Sequence, residues 1–239
     1  MSWARLCVIL GLLVPNAAFA ADMPGTLPPP GVVPFLPPST SAPGWYLRGD
    51  IGGYWGVMGS AQSAPGFPSP TDNGLGNGFV GGVGVGIKSS WIRTDLTVDY
   101  TAMKYSGAIA APGDVTAKVD AITALFNGYL DLGTWYGITP YLGAGAGVAN
   151  LRTHDYASTA APPFTSGLSH SQWKFAYAVM AGTGYSIAPN ITLDAGYRYV
   201  NFGDVTTASD SFGAMTLKNL AAHEVRVGVR WSFDDALYR

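Results

Sequence analysis

Over long stretches of this chain, polar and apolar positions alternate with a period of two. In residues 224–233, Glu224, Arg226, Gly228, Arg230 and Ser232 share one parity, and Val225, Val227, Val229, Trp231 and Phe233 share the other. Such alternation predicts an extended strand whose two faces meet different surroundings. The pattern recurs in 91–105, where Arg93, Asp95, Thr97 and Asp99 oppose Ile92, Leu96, Val98 and Tyr100. It recurs in 45–57, with Arg48 and Asp50 against Leu47 and Ile51, and in 191–202, with Asp194 and Arg198 against Leu193, Tyr197 and Tyr199. Residues 79–87, 140–151 and 173–187 are strand-like too, the first two with every second position glycine over part of their length. Residues 115–132 form an eighth strand-like segment whose pattern fixes no register.

The connections between these eight segments alternate in length. Residues 58–77, 106–114, 152–172 and 203–216 are the longer ones, while 88–90, 133–139 and 188–190 are short. An up-and-down meander with turns at one end and loops at the other produces this rhythm, and a Greek-key sandwich does not. Most of the segments are long enough to cross a bilayer as tilted strands of about 9–11 residues. Backbone groups in hydrocarbon must all be paired, so such a sheet has to close. The expected fold is therefore all-β: an eight-stranded antiparallel up-and-down transmembrane β-barrel. Eight strands leave an interior just wide enough to be filled by side chains.

Several other features bear on this reading. Residues 1–20 resemble a secretory signal: Arg5, an apolar run over 6–14, and Ala18-Phe19-Ala20, with cleavage expected between Ala20 and Ala21. The apolar run is too short to span a membrane. Cys7 is the only cysteine, so the mature chain would have no thiol chemistry. Residues 21–43 are proline-rich, including Pro28-Pro29-Pro30 and Pro37-Pro38, and read as a periplasmic linker. The barrel is expected over 44–233, followed by a short tail over 234–239. Only 12% of residues are charged, against about 25% in a typical soluble domain. This fits an outer surface bathed in lipid. The net charge of −2 gives no basic footprint for nucleic acid.

Aromatic residues gather near the strand ends: Trp45, Trp55, Trp91, Tyr105, Trp135, Tyr136, Tyr141, Trp173, Tyr199, Trp231 and Phe233. Rings at headgroup depth form the two girdles of membrane barrels. The opposite parity assigns Arg48, Asp50, Arg93, Asp95, Asp99, Lys174, Asp194, Arg198, Glu224, Arg226 and Arg230 to the lumen. Both signs are present, and buried charges must pair or be solvated. Two readings follow: an internal network that closes the barrel, or a narrow polar path for ions or small solutes. Inward glycines on the second and fifth strands would make room for the longer side chains. His154 and His170 fall in the fifth connection, and His223 near the start of the last strand. Their spacing matches no catalytic or metal motif, so no catalytic residue, cofactor or metal ligand is assigned. Haem or small-ligand capture by loop residues is a lesser alternative.

Four stretches resemble the small outer-membrane β-barrel proteins of alphaproteobacteria, an OmpA/OmpX-like, opacity-type porin family. They are Gly44-Trp45-Tyr46-Leu47-Arg48-Gly49-Asp50-Ile51-Gly52, Thr139-Pro140-Tyr141-Leu142-Gly143-Ala144-Gly145-Ala146-Gly147, Leu193-Asp194-Ala195-Gly196-Tyr197-Arg198-Tyr199 and His223-Glu224-Val225-Arg226-Val227-Gly228-Val229-Arg230-Trp231. The resemblance implies an integral outer-membrane protein, surrounded by lipid and lipopolysaccharide and folded by the barrel-assembly machinery. It implies a role in envelope integrity and surface contact rather than catalysis, with any ligand of the loops left open. Trp231 and Phe233 are the candidate assembly signal. Barrels of this kind often end on their last aromatic, whereas here six residues follow Phe233.

Overall fold

The alternating stretches become eight long strands in the computed structural model, which describes residues 44–63, 72–109, 113–159, 164–166, 169–206 and 215–233. They are β1 (Gly44–Val57), β2 (Asn77–Ser89), β3 (Ile92–Ile109), β4 (Gly113–Asp131), β5 (Ile138–Ser158), β6 (His170–Ala188), β7 (Ile191–Thr206) and β8 (Thr216–Ser232). Each pairs antiparallel with the next, and β8 pairs back onto β1 through twelve Cα partners, from Tyr46 with Ser232 to Val57 with Ala221. Short segments extend the wall: Ser60–Gln62 beside β8, Asp72–Leu75 beside β3 and Phe164–Ser166 beside β5. The expected signal segment, linker and C-terminal tail lie outside the described residues.

The stagger of the ring can be read from its register. Stepping through partners Tyr46, Gly86, Asp95, Asn127, Gly145, Ala178, Val200 and Ala222 returns to β1 at Gly56, ten residues beyond the start. For eight strands, that stagger requires a strand tilt of roughly 40°. Ile51, Val83, Leu96, Phe126, Leu142, Val179, Val225 and Val227 all face outward and are 50–69% exposed. A continuous apolar belt of this extent is a lipid-facing surface.

The two ends of the barrel differ. At one end the strands meet in short turns: Ser90-Trp91, 132–137 and Pro189-Asn190. Ser90 and Tyr136 take up left-handed backbone there, each with φ 52°, beside Gly137 at φ 81°. At the other end the strands overrun the expected loops. β3 to β6 are 18, 19, 21 and 19 residues long, against 14 and 13 for β1 and β2. The third connection, expected to span 106–114, leaves only 110–112 between β3 and β4. The fifth, expected over 152–172, is largely strand, and it places His154 on β5 and His170 on β6 rather than in a loop. Continued cross-strand pairing explains the difference, because a tall hairpin satisfies backbone groups that a loop would expose.

Candidate functional site within the barrel interior

The inward face of each strand has two zones. In the half nearer the short turns, inward positions are charged or hydroxylic and outward positions are apolar. Toward the loop end the phase inverts. On β4, Asp131, Asn127 and Thr123 point inward in the lower half, whereas Val119, Ala117 and Val115 do so above. The outward partners change from Leu130, Phe126 and Ile122 to the exposed Lys118 and Thr116. Strand parity never changes; only its surroundings do.

The lower zone holds an ion-pair network. Arg198 pairs with Asp99 at 2.8 Å and with Glu224 at 2.7 Å. Arg226 pairs with Asp99 at 2.5 Å, with Glu224 at 3.3 Å and also with Asp50. Arg48 bridges Asp50 at 2.9 Å and Asp95 at 3.1 Å. Asp95 also accepts a hydrogen bond from the Asn127 amide at 2.7 Å and one from the Tyr46 hydroxyl at 3.1 Å. Nearer the turns, Arg93 and Lys88 share Asp131 at 2.8 and 3.1 Å, and Arg230 meets Asp194 at 3.3 Å. The Arg93 guanidinium lies 4.8 Å from the ring centres of both Tyr129 and Tyr141. Burial at this depth demands such pairing, since an isolated ion in low dielectric costs several kcal/mol. A cavity of about 30 Å³ lies among Arg48, Asp99, Asn127, Arg198 and Arg226. The Oδ1 of Asn127 and the Nε of Arg226 have no hydrogen-bond partner among the described residues. The space suffices for a water or two against these atoms.

The upper zone is an apolar core. Met103, Leu151, Val200, Phe202, Leu217 and Leu220 are each at most 1% exposed, with Tyr54 and Val80 beside them. Apart from Lys174, the charges assigned to the lumen lie in the part enclosed by the lipid-facing belt, and the interior above packs like that of a soluble protein.

Ten of the eleven residues assigned to the lumen lie in the ion-paired zone. Lys174 does not join them. It is half-buried on β6, level with the apolar zone, and forms no ion pair among the described residues. Lys88, Asp131, Asn127, Tyr46 and Tyr129 belong to the network but were not foreseen. The phase inversion within β4 had hidden its register, which would have exposed three of them. Two girdle assignments also change: Tyr105 and Tyr141 point inward, 1% and 9% exposed. The inward glycines do accommodate neighbours. A Cβ at Gly82 would land on the Asp99 carboxylate and the Arg226 guanidinium, and one at Gly228 on Asp50.

Two polar clusters lie on the outer wall. His223 accepts or donates a 2.5 Å hydrogen bond with the Tyr197 hydroxyl and stacks on Trp55 at 5.6 Å. Near the loop end, Lys118 donates to Asp155 at 2.8 Å. That bond holds the Asp155 carboxyl below the usual carboxylate range and raises the Lys118 ammonium. At the short-turn end, the Trp231 and Phe233 rings stack at 5.4 Å, and the Phe233 amide donates to the Trp45 carbonyl.

The family model described as "Outer membrane protein beta-barrel domain" matches residues 9–233. An uncharacterized protein of Brucella suis is 32% identical, over 81% of this chain and 79% of that protein. Outer membrane protein PagN of Salmonella typhimurium is 29% identical, over 56% of this chain and 62% of its own length. Among solved structures, the outer membrane protein OprG of Pseudomonas aeruginosa superposes with a TM-score of 0.54 at 12% identity, covering 80% of this chain and 97% of OprG.

Proposed function

The chain belongs to the outer membrane protein β-barrel domain family, and from that premise we propose that it is a closed, non-catalytic barrel serving envelope integrity and surface contact. Residues 1–20 direct its export, and its long hairpins stand on the extracellular side. The observation that carries this reading is the stacking of the two interior zones. A solute crossing the lumen would have to displace paired charges and then pass a packed apolar layer. Neither step is cheap: the charges already have partners, and a dry constriction offers an ion no ligands. Trp231 and Phe233 act as the assembly signal, stacked at the end of the closing strand. Planar-bilayer recording of the purified protein tests the closed lumen: no unitary currents are expected, and stable ones would overturn it. Phe233→Ala is expected to lower the yield of heat-modifiable folded protein in isolated outer membranes; an unchanged yield would remove Phe233 from the signal.

A narrow channel is the second reading, favoured by the 30 Å³ cavity and the unpartnered Asn127 and Arg226 atoms beside it. Its prediction is the opposite result in the same recording.

A further inference from the structure

On β3, β4 and β5 the outward face changes character at the same step. The apolar run ends at Tyr100, Ile122 and Val148, which are 51%, 50% and 44% exposed. One intervening outward residue follows on each strand: Ala102, Asp120 and Asn150. The next outward position is a base each time: Lys104, Lys118 and Arg152, all exposed. Four residues of tilted strand place these bases about 10 Å beyond the last apolar side chain. Their long stems can lie back along the wall and bring the charges down to headgroup depth.

The row is electrostatically incomplete. Lys104 and Lys118 are direct cross-strand partners, and like charges placed directly opposite destabilise a sheet. Lys118 has Asp155, but Lys104 and Arg152 form no ion pair among the described residues. Asp120 sits opposite Arg152, yet it accepts the Tyr100 hydroxyl at 3.2 Å and lies 3.7 Å from the His154 ring. At the same height the outward faces of β1, β2, β6 and β7 carry no Lys or Arg, while β8 adds the half-buried Lys218. The bases therefore form a patch along the edge of the lipid belt in which Lys104 and Arg152 have no ion-pair partner among the described residues.

We propose that Lys104, Lys118 and Arg152 form a docking site for the phosphate groups of an outer-leaflet glycolipid of the lipid A type. A soluble polyanion would need no alignment with the belt edge, whereas a lipid phosphate is fixed at that height by its acyl chains. The anion supplies the partner that Lys104 and Arg152 lack, and it ties the tall β3–β5 wall to its surrounding lipid. The site is independent of whether the lumen conducts.

The test uses the folded full-length protein in zwitterionic detergent, titrated with bis-phosphorylated lipid A, dephosphorylated lipid A or a sulfated oligosaccharide. Phosphorylated lipid A is expected to bind at least tenfold more tightly than the dephosphorylated form. Combined K104Q, K118Q and R152Q substitution is expected to abolish that preference. Lys104→Glu provides a second readout with opposite signs: a higher unfolding temperature in lipid-free detergent, because the repulsion is relieved, together with weaker lipid A binding. Retention of the phosphate preference in the triple variant overturns the site. So does a loss confined to the sulfated oligosaccharide, which would make the patch a glycan-capture surface. A Lys104→Glu protein that neither gains stability in detergent nor loses lipid A binding overturns it as well.

Discussion

The lower and upper halves of this barrel interior solve the same packing problem with opposite chemistry. Below, Arg48, Arg93, Arg198, Arg226 and Arg230 meet Asp50, Asp95, Asp99, Asp131, Asp194 and Glu224 at 2.5–3.3 Å, Arg226 also contacting Asp50. Above, Leu151, Phe202 and Leu220 exclude water through apolar contacts. The environment outside accounts for the difference. Where the outer face must be apolar to meet lipid, the inner face can be polar without making the strand wholly hydrophobic. Where the outer face meets water, the inner face is free to form an ordinary core. The contrast also concerns specificity. Ion pairs fix partners one by one, while an apolar layer tolerates substitutions that conserve volume.

Substitutions can break or sharpen this comparison. The largest effect is expected for Arg226→Met, which leaves Asp50 to Arg48 alone and both Asp99 and Glu224 to Arg198 alone. Breaking such a buried set costs about 3–5 kcal/mol, to be read from urea unfolding in lipid vesicles. Leu151→Ala in the upper zone should cost somewhat less, about 3 kcal/mol from lost burial and the cavity left behind. If the upper variant proved the more damaging, the ranking of the two zones would reverse. Gly82→Ala adds a methyl between Asp99 and Arg226, for an expected loss of about 1–2 kcal/mol by overpacking. A neutral result would mean that the network gives way easily.

The smallest effect is expected at Asp155. Its depressed pKa adds stability that is complete above the ordinary carboxylate value of about 4 and is lost as pH falls through the lower folded value. The pair is exposed and screened, so Asp155→Asn should unfold close to wild type at pH 7, and any difference should vanish in stronger acid. A large, pH-dependent loss there would show that surface charge matters as much as buried charge.

Strand count, closure and lipid-facing parity were legible because the alternation in 45–57, 91–105 and 224–233 keeps one phase through the belt. The lower charges followed from the same parity, as with Arg93, Asp95 and Asp99. The upper core was not legible, because there the polar parity faces out and the apolar parity faces in. In β4 both regimes share one strand, so averaging over the strand cancels the signal; Asp131 and Asn127 went unseen for that reason. Tyr105 looked like a girdle residue by its place near a strand end, but it lies above the inversion, where inward means apolar. Hairpin height was missed as well. Ser106, Gly107 and Ala108 are polar or small and look like loop, although pairing with β4 keeps them extended.

The buried pairs also constrain the order in which the chain can fold. Asp99 and Arg226 are 127 residues apart in sequence, and Asp99 and Arg198 are 99 apart. Arg226 and Asp50 face each other across the junction of the first and last strands. An unfinished sheet would therefore carry unmatched ions on a surface about to enter hydrocarbon. Each added hairpin would deepen that deficit until β8 meets β1 and settles it in one step. Membrane entry and ring closure are thereby coupled, and a partly assembled wall has no stable resting place in the bilayer.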